Sequence, residues 1–267
     1  MNVKVNKKVG ELAQVKRAFF MPSAGDESTP IGACYLGYIR ACEEQKLTPS
    51  IKPLKNLYLG PSFTDDEIER FLKKGKYFDK YNIEYKKDIE KDIAMLLYDN
   101  KVVARMAGRM EWGARSLGNR AILANPQNDK VIMVINEQLK DRDFWMPFAP
   151  TILAERMSDY CIDPKNIEAP YMATSFDSTS RAQQELKADL HPYDFTLRPQ
   201  VLYADWNREY YKDKKEFEKL TGIGGLLNTS FNLHGRPIVL GPKEAMHAFE
   251  NSGLEYMALE HFLISKV

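Results

Sequence analysis

The chain has 267 residues, 44% of them hydrophobic, and a formal net charge of +1. That is length for one large domain or two small ones and apolar content for a real core. The balanced charge excludes a bulk electrostatic pull towards nucleic acid or an anionic membrane, and no apolar run approaches the length of a bilayer span or forms a cationic-then-apolar leader. Three cysteines, Cys34, Cys42 and Cys161, show no C-x-x-C pairing and read as buried thiols in a reducing cytoplasm. The four histidines, His191, His234, His247 and His261, form no H-x-x-H or H-x-x-x-H pair, so the chain alone carries no recognisable histidine metal motif.

Val3 and Val5 alternate with polar residues and predict a short strand. Asp26 stands in a Gly/Ser turn ahead of a helix expected over 31–41, with Pro30 suited to its first position and Ile31, Cys34, Tyr35 and Tyr38 on one face. A short acid there reads as a cap, and Cys34 as helix packing. Residues 46–62, with Pro49, Pro53 and Pro61, read as a linker. Thr64-x-x-Glu67 forms a capping box before Ile68, Phe71 and Leu72, and Gly75 ends that helix. Residues 76–87 read as a surface connection. A helix follows over 87–97, with Ile89, Ile93 and Leu96 on its buried side, then a turn at Asp99-Asn100 and a strand over 101–106. Asn125-Pro126 predicts the cap and first residue of a helix carrying Val131, Val134, Ile135 and Leu139. Strands are expected over 147–153, 201–203 and 237–240, and helices over 207–220 and from Pro242, with strands over 256–259 and 262–264 closing the chain. Residues 160–200 are poorly periodic, as functional or disordered segments often are. The alternation of strands with helices predicts the α/β class.

The stretch from Gly108 to Pro150 carries the most chemistry. It opens GRMEWGARSLGNRAILANP and closes LKDRDFWMPFAP. Arg109, Arg115 and Arg120 lie among Gly108, Gly113 and Gly118, and Lys140 and Arg142 follow. Guanidinium groups match phosphate and carboxylate oxygens with a planar fork of donors, and glycine lets backbone approach a ligand or adopt positive φ. Together they point to a polyanion site, against the plainer alternative of a basic loop with surface ion pairs.

Three further strings follow in order with it: GDESTPIGA around Asp26, HPYDFTLRPQ over 191–200, and GLLNTSFN over 225–232. This set resembles the carbamoyltransferases of the nodulation-factor and tobramycin type over nearly the whole chain. The resemblance implies two domains. One is an actin-like ATPase fold that performs carbamoyl transfer with a metal. The other has a YrdC-like twisted mixed sheet with flanking helices, and makes carbamoyl-adenylate from carbamoyl phosphate and ATP. On this reading residues 1–50 are the C-terminal remnant of the first domain and 51–267 are the second. Arg115 falls in the family's G-P-R-A-L-G string, Lys140 and Arg142 in K-x-R-[DE], Arg198 in T-x-R-P-Q and Ser230 in N-T-S-F-N. The resemblance gives Arg115, Lys140, Arg198 and Ser230 to the carbamoyl phosphate and ATP site. Arg109, Arg120, Arg142 and Asn228, in the same strings, are candidates for nucleotide binding. Asp26 matches a ligand of a divalent metal, iron or magnesium, held only by the complete enzyme.

Departures from the family pattern bear on the site. Met146 stands where the family has arginine before PFAP, so one phosphate contact is lost or is supplied by Arg156. Pro192 and Tyr193 lengthen the spacing after His191 and put its role in question. The upstream histidine ligands of the transfer domain are absent, which implies a fragment or one half of a split enzyme, with an upstream half as partner and a small-molecule hydroxyl compound as acceptor. Two other classes stand beside this one. A nucleotide- or RNA-binding YrdC-like module without transferase activity is disfavoured by the lack of a basic stripe. A non-catalytic remnant is disfavoured by all four motif cations and hydroxyls being present. Trp112 and Trp145 read as core or interface more readily than as adenine-stacking residues.

Overall fold

The computed structural model describes residues 2–52, 54–140, 146–163 and 165–266, apart from the side chains of Gln138 and Lys140. Arg142 and Trp145 lie outside the described residues. The framework is one eight-stranded sheet in the order β1-β10-β9-β2-β3-β8-β4-β7. Its strands are β1 (Asn82–Tyr85), β2 (Val103–Met106), β3 (Arg120–Ala124), β4 (Ala149–Leu153), β7 (Gln200–Leu202), β8 (Gly225–Ser230), β9 (Tyr256–Leu259) and β10 (Phe262–Ser265). The β2–β9 and β4–β7 pairs are parallel and the other pairings antiparallel. A small second ribbon pairs β5 (Cys161–Ile162) with β6 (Asp177–Ser178). The mixed α/β class with flanking helices is the one the sequence implied.

Both faces of the large sheet are covered. Successive strand residues point to opposite faces. Ala104, Met106, Ile122, Ala124, Leu227 and Met257 enter one core with Ile68 and Leu72 of α3 (Asp65–Lys74), Val131 and Ile135 of α5 (Val131–Ile135), and Met246 and Phe249 of α9 (Pro242–Glu250). Val103, Ala121, Leu123, Leu226 and Ala258 enter the other, with Ile89, Ile93 and Leu97 of α4 (Ile89–Tyr98) and Tyr210 and Phe217 of α8 (Arg208–Thr221). Burial on both faces explains why the central strands read as continuous apolar runs rather than as alternation. Local signals set the helix ends. The Thr64 side chain accepts from Glu67 N while Glu67 accepts from Thr64 N, and Asn207 caps α8 by accepting from Tyr210 N.

Several expectations are corrected. Residues 3–11 form α1 (Val3–Glu11), not a strand: Asn2 accepts from Val5 N, and a two-valine alternation is too short to outweigh that cap. α2 (Thr29–Glu44) forms with its early proline, but Cys34, Tyr35 and Tyr38 are exposed, so Cys34 is not a core thiol, whereas Cys42 and Cys161 are buried. The helix expected at Pro126 starts only at Val131, because Asn125 and Asn128 fold back on the amides of Gln127 and Lys130 in successive side-chain turns. It runs on into a π-helical turn over Asn136–Lys140. Residues 237–240 do not join the sheet; Pro237 has no N–H to give, and Val239 N donates to Phe231 O. Strand β1 lies where a surface connection was expected, and β3 inside the Gly/Arg stretch. The irregular 160–200 segment contains β5, β6, α6 (Met157–Tyr160) at its start and α7 (Ser180–Glu185), and it receives α1: Asn6 Nδ2 donates to Ala173 O, and Lys4 and Lys7 pair with Asp194 and Asp177.

Candidate functional site

The loop from Gly108 to Asn119 joins β2 to β3. Its first part pairs by backbone with residues 57–61, through Met110 N to Pro61 O, Gly60 N to Met110 O and Trp112 N to Leu57 O, and side chains satisfy much of the rest. Gly108, Gly113 and Gly118 have φ of +61°, +109° and +110°. At Gly118 a Cβ would stand 2.2 Å from the Tyr210 ring, so only glycine fits there. Three buried charged residues hold the loop. Arg105, on β2, donates from Nη1 to Gly118 O (2.9 Å) and Asn119 Oδ1 (3.0 Å) while its Nε donates to Asp213 of α8 (2.6 Å). Arg120, fully buried, donates to the carbonyls of Ala107, Gly108 and Asn119 through Nη1, of Pro61 through Nη2 and of Leu240 through Nε. Glu111 receives the amides of Leu117 (2.7 Å), Asn119 (3.2 Å) and Arg120 (3.2 Å) on a single oxygen, Oε1.

Beside the loop lies a buried polar network that joins four of the sequence strings. Ser116 belongs to GARSLG, Thr151 follows PFAP, Gln200 ends TLRPQ and Asn228 opens NTSFN. Asn228 Nδ2 reaches Ser116 O (3.2 Å), Thr151 Oγ1 (3.0 Å) and Gln200 Oε1 (3.3 Å). Thr151 Oγ1 donates to Gln200 Oε1 (2.8 Å) and accepts from Tyr210 OH (3.1 Å). Gln200 Nε2 donates to Leu117 O (3.0 Å). A network of this kind is satisfied only in one arrangement, so it fixes the mutual register of loop and strands. Lys214 of α8 backs it by donating to Thr151 O, and burial pushes its ammonium down to about 7. Fully buried Asp189 exerts a Coulombic pull on Lys214, and burial pushes its carboxyl up.

The expected site residues flank this network. Arg115 adjoins Ser116 and is half-buried. Arg198 precedes Gln200 by two positions and is half-buried. Ser230 shares a strand face with Asn228, lies opposite Ala121, and donates to Asn232 Oδ1 (2.5 Å). Asn228 is buried as a network member. Arg109 is exposed and donates to the carbonyls of Leu59 and Gly60. Lys140 ends the π-helical turn, its side chain outside the described residues, as is all of Arg142. Arg156, the suggested substitute for the arginine missing at Met146, instead pairs with Asp159 and Glu218. His191 accepts from the amides of Tyr193 and Asp194. Sequence reasoning missed Glu111, Thr151 and Gln200. Glu111 had a signal: a lone acid inside a cationic glycine loop.

Asp26 is exposed in the 3-10 turn that leads into α2. Among the described residues no three His, Cys, Asp or Glu side chains come together as metal ligands. The donor set here does not fit a held metal ion. A cleft of about 1320 Å³ lies apart from the network, with Phe20, Tyr35, Leu54, Tyr171, Tyr203 and Trp206 in its wall. Among the described residues, no helix is long and apolar enough to cross a membrane.

The family described as Carbamoyltransferase C-terminus matches residues 94–266. An uncharacterized protein of Methanocaldococcus jannaschii is 33% identical over 99% of this chain and 43% of its own length. Nodulation protein NolNO of Sinorhizobium fredii is 30% identical over 93% of this chain and 36% of its own. Nodulation protein U of Rhizobium fredii is 30% identical over 88% of this chain and 37% of its own. The chain therefore spans less than half the length of each of these relatives. Among solved structures, full-length HypF in its phosphate- and nucleotide-bound form superposes with a TM-score of 0.47 at 19% identity, over 64% of this chain and 21% of that one.

Proposed function

The chain belongs to the carbamoyltransferase C-terminus family, and from that membership we propose that it performs the adenylate-forming half of an O-carbamoyl transfer. Its substrates on this reading are carbamoyl phosphate and ATP. A carbamoyl-adenylate carries AMP on a carbamate oxygen, so both phosphate and pyrophosphate must leave and water must supply one oxygen. Water cleaves carbamoyl phosphate to carbamate and phosphate. A carbamate oxygen then attacks the α-phosphorus of ATP, the new P–O bond forms, and pyrophosphate departs. In the transfer step an acceptor hydroxyl attacks the carbamoyl carbon, loses its proton, and AMP leaves.

The observation that carries this reading is the buried network that ties GARSLG, TLRPQ and NTSFN together through Ser116, Gln200 and Asn228. Arg115, Arg198 and Ser230 stand one or two residues from its members. Fixed cations of this kind stabilise charge that develops on phosphoryl oxygens and hold the reactants in line. In the proposal Arg115, Arg198 and Lys140 bind the phosphoryl groups, and Ser230 donates its hydroxyl to a phosphate oxygen. Residues 1–50 are read as part of a transfer domain completed by an upstream half, which would bring the metal's other ligands to Asp26 and bind the small-molecule hydroxyl acceptor. A reducing cytoplasm remains the expected setting.

The test follows pyrophosphate and AMP with purified chain, ATP and carbamoyl phosphate, then hydroxyl acceptors by mass spectrometry with and without the upstream half in trans. Release of both products by the chain, and carbamoylated acceptor only with the upstream half, is the expected result. Carbamoylation by the chain alone contradicts the division of labour.

A further inference from the structure

We infer that Glu111 is the positioning residue for Arg115, acting through the backbone rather than on the substrate; this rests on the adenylate-forming reading above. Between Gly113 and Gly118, two positive-φ glycines, the chain turns without a ladder. Its direction there is set by where the following amides point. Leu117, Asn119 and Arg120 all donate to Glu111 Oε1, and Ser116 Oγ lies 3.3 Å from the same oxygen. Three converging N–H groups form a nest of the sort that elsewhere holds an external anion. Here the anion is the loop's own carboxylate, only 3% exposed. Ser116 also contacts Arg120 O (3.0 Å) and Asn228 Oδ1 (3.3 Å), so the residue next to Arg115 is held by Glu111, β3 and β8 together. With the backbone on its C-terminal side fixed, Arg115 has a defined point of departure.

The second oxygen, Oε2, is buried and accepts no hydrogen bond from the described residues. The amide bonds thus converge on Oε1 alone, and what the loop requires is an acceptor at that reach, which has a diagnostic consequence. In Glu111→Gln the amide oxygen can take the place of Oε1 and keep the amide bonds. Glu111→Asp keeps the charge but is shorter by one methylene and withdraws the acceptor from the nest. A positioning role therefore predicts an order of activity opposite to that of a role in which the charge acts on substrate.

The experiment measures carbamoyl-phosphate-dependent pyrophosphate release by the full chain, with KM and kcat separated and folding checked by circular dichroism. Glu111→Gln is expected to hold its KM for carbamoyl phosphate within about threefold. Glu111→Asp is expected to lose kcat/KM on the order of 10²-fold, as about 1 Å of misplacement does, partly through a raised KM. A folded Glu111→Asp protein with wild-type constants overturns the inference. So does a Glu111→Gln protein that loses as much, and that arm decides the matter even if the aspartate variant does not fold. A wild-type chain that releases no pyrophosphate overturns the underlying reading, and this assignment with it.

Discussion

Replacing Arg120 by methionine separates a residue that builds the loop from one that binds phosphate. Arg120 has no solvent exposure, and its guanidinium serves the carbonyls of Ala107, Gly108, Asn119, Pro61 and Leu240. Asn119 O and Pro61 O keep the amides of Ala107 and Met110 when the guanidinium is removed. The other three carbonyls lose the donor that Arg120 supplies. Ala107 O is left buried and unsatisfied at about 1–3 kcal/mol, while Gly108 O and Leu240 O, on a half-buried and an exposed residue, are partly recovered by water, so the cost is about 2–4 kcal/mol. That is a large part of the 5–15 kcal/mol typical of a folded domain. For a chain of this size it corresponds to a fall in Tm on the order of 10 °C. Urea unfolding followed by circular dichroism measures it as a lower midpoint at an unchanged slope. Burial already pushes the Arg120 guanidinium down from its ordinary pKa, which agrees with a group withdrawn from water rather than offered to a ligand. A loss below about 1 kcal/mol, together with a large rise in the KM for ATP, would refute the reasoning and return Arg120 to the substrate site.

Two further outcomes follow from the packing of the N-terminal segment. Burial works against the Asp194 carboxylate, but hydrogen bonds from Lys4 and Thr196 hold it at about 2, below the ordinary carboxylate value of about 3.9. The unfolded chain therefore binds the extra proton between these values, and Asp194 contributes stability above about pH 4 that is lost as pH falls through 2. Asp194→Asn should flatten that part of the acid unfolding curve, and an unaltered curve sinks the assignment. Removing residues 1–50 should leave ATP binding by calorimetry intact, since the bonds α1 and the turn after it make with the body go to Ala173, Ser175, Asp177, Asp194 and Lys165 and not to Arg115, Arg198 or the Ser116–Gln200–Asn228 network. Loss of ATP binding in a folded truncated chain would contradict the separation of the two parts.

What was legible in the sequence, and what was not, follows from how local each signal is. The capping box at Thr64 and Glu67, the Asn207 cap and the proline that opens α9 are short-range devices, and the helices they mark form within a residue or two of the expected ends. β3 was hidden because its first residue is an arginine inside a glycine loop. Only the tertiary setting, with five carbonyls around the guanidinium, makes Arg120 a buried strand residue. β1 was hidden by its composition: Asn82, Glu84 and Tyr85 are exposed, and the strand exists because β10 offers it a partner. The same distinction divides the site. Arg115, Arg198 and Ser230 were visible through the strings that contain them. Glu111 bonds within its own loop and carried a local signal as its lone acid, whereas Thr151 and Gln200 act through groups such as each other, 49 residues apart, and Leu117, 83 residues from Gln200, and no local pattern encodes those pairings.

The central claim is that the strings joined by the Ser116–Gln200–Asn228 network form the site where ATP is attacked. The most direct test is the initial rate of pyrophosphate release from ATP by the purified chain, with and without carbamoyl phosphate, in wild type and in Arg198→Ala. The account predicts release that requires carbamoyl phosphate and falls on the order of 10²–10³-fold when one charge-stabilising donor is removed. Release at the wild-type rate by a folded Arg198→Ala chain, or release indifferent to carbamoyl phosphate, would contradict it.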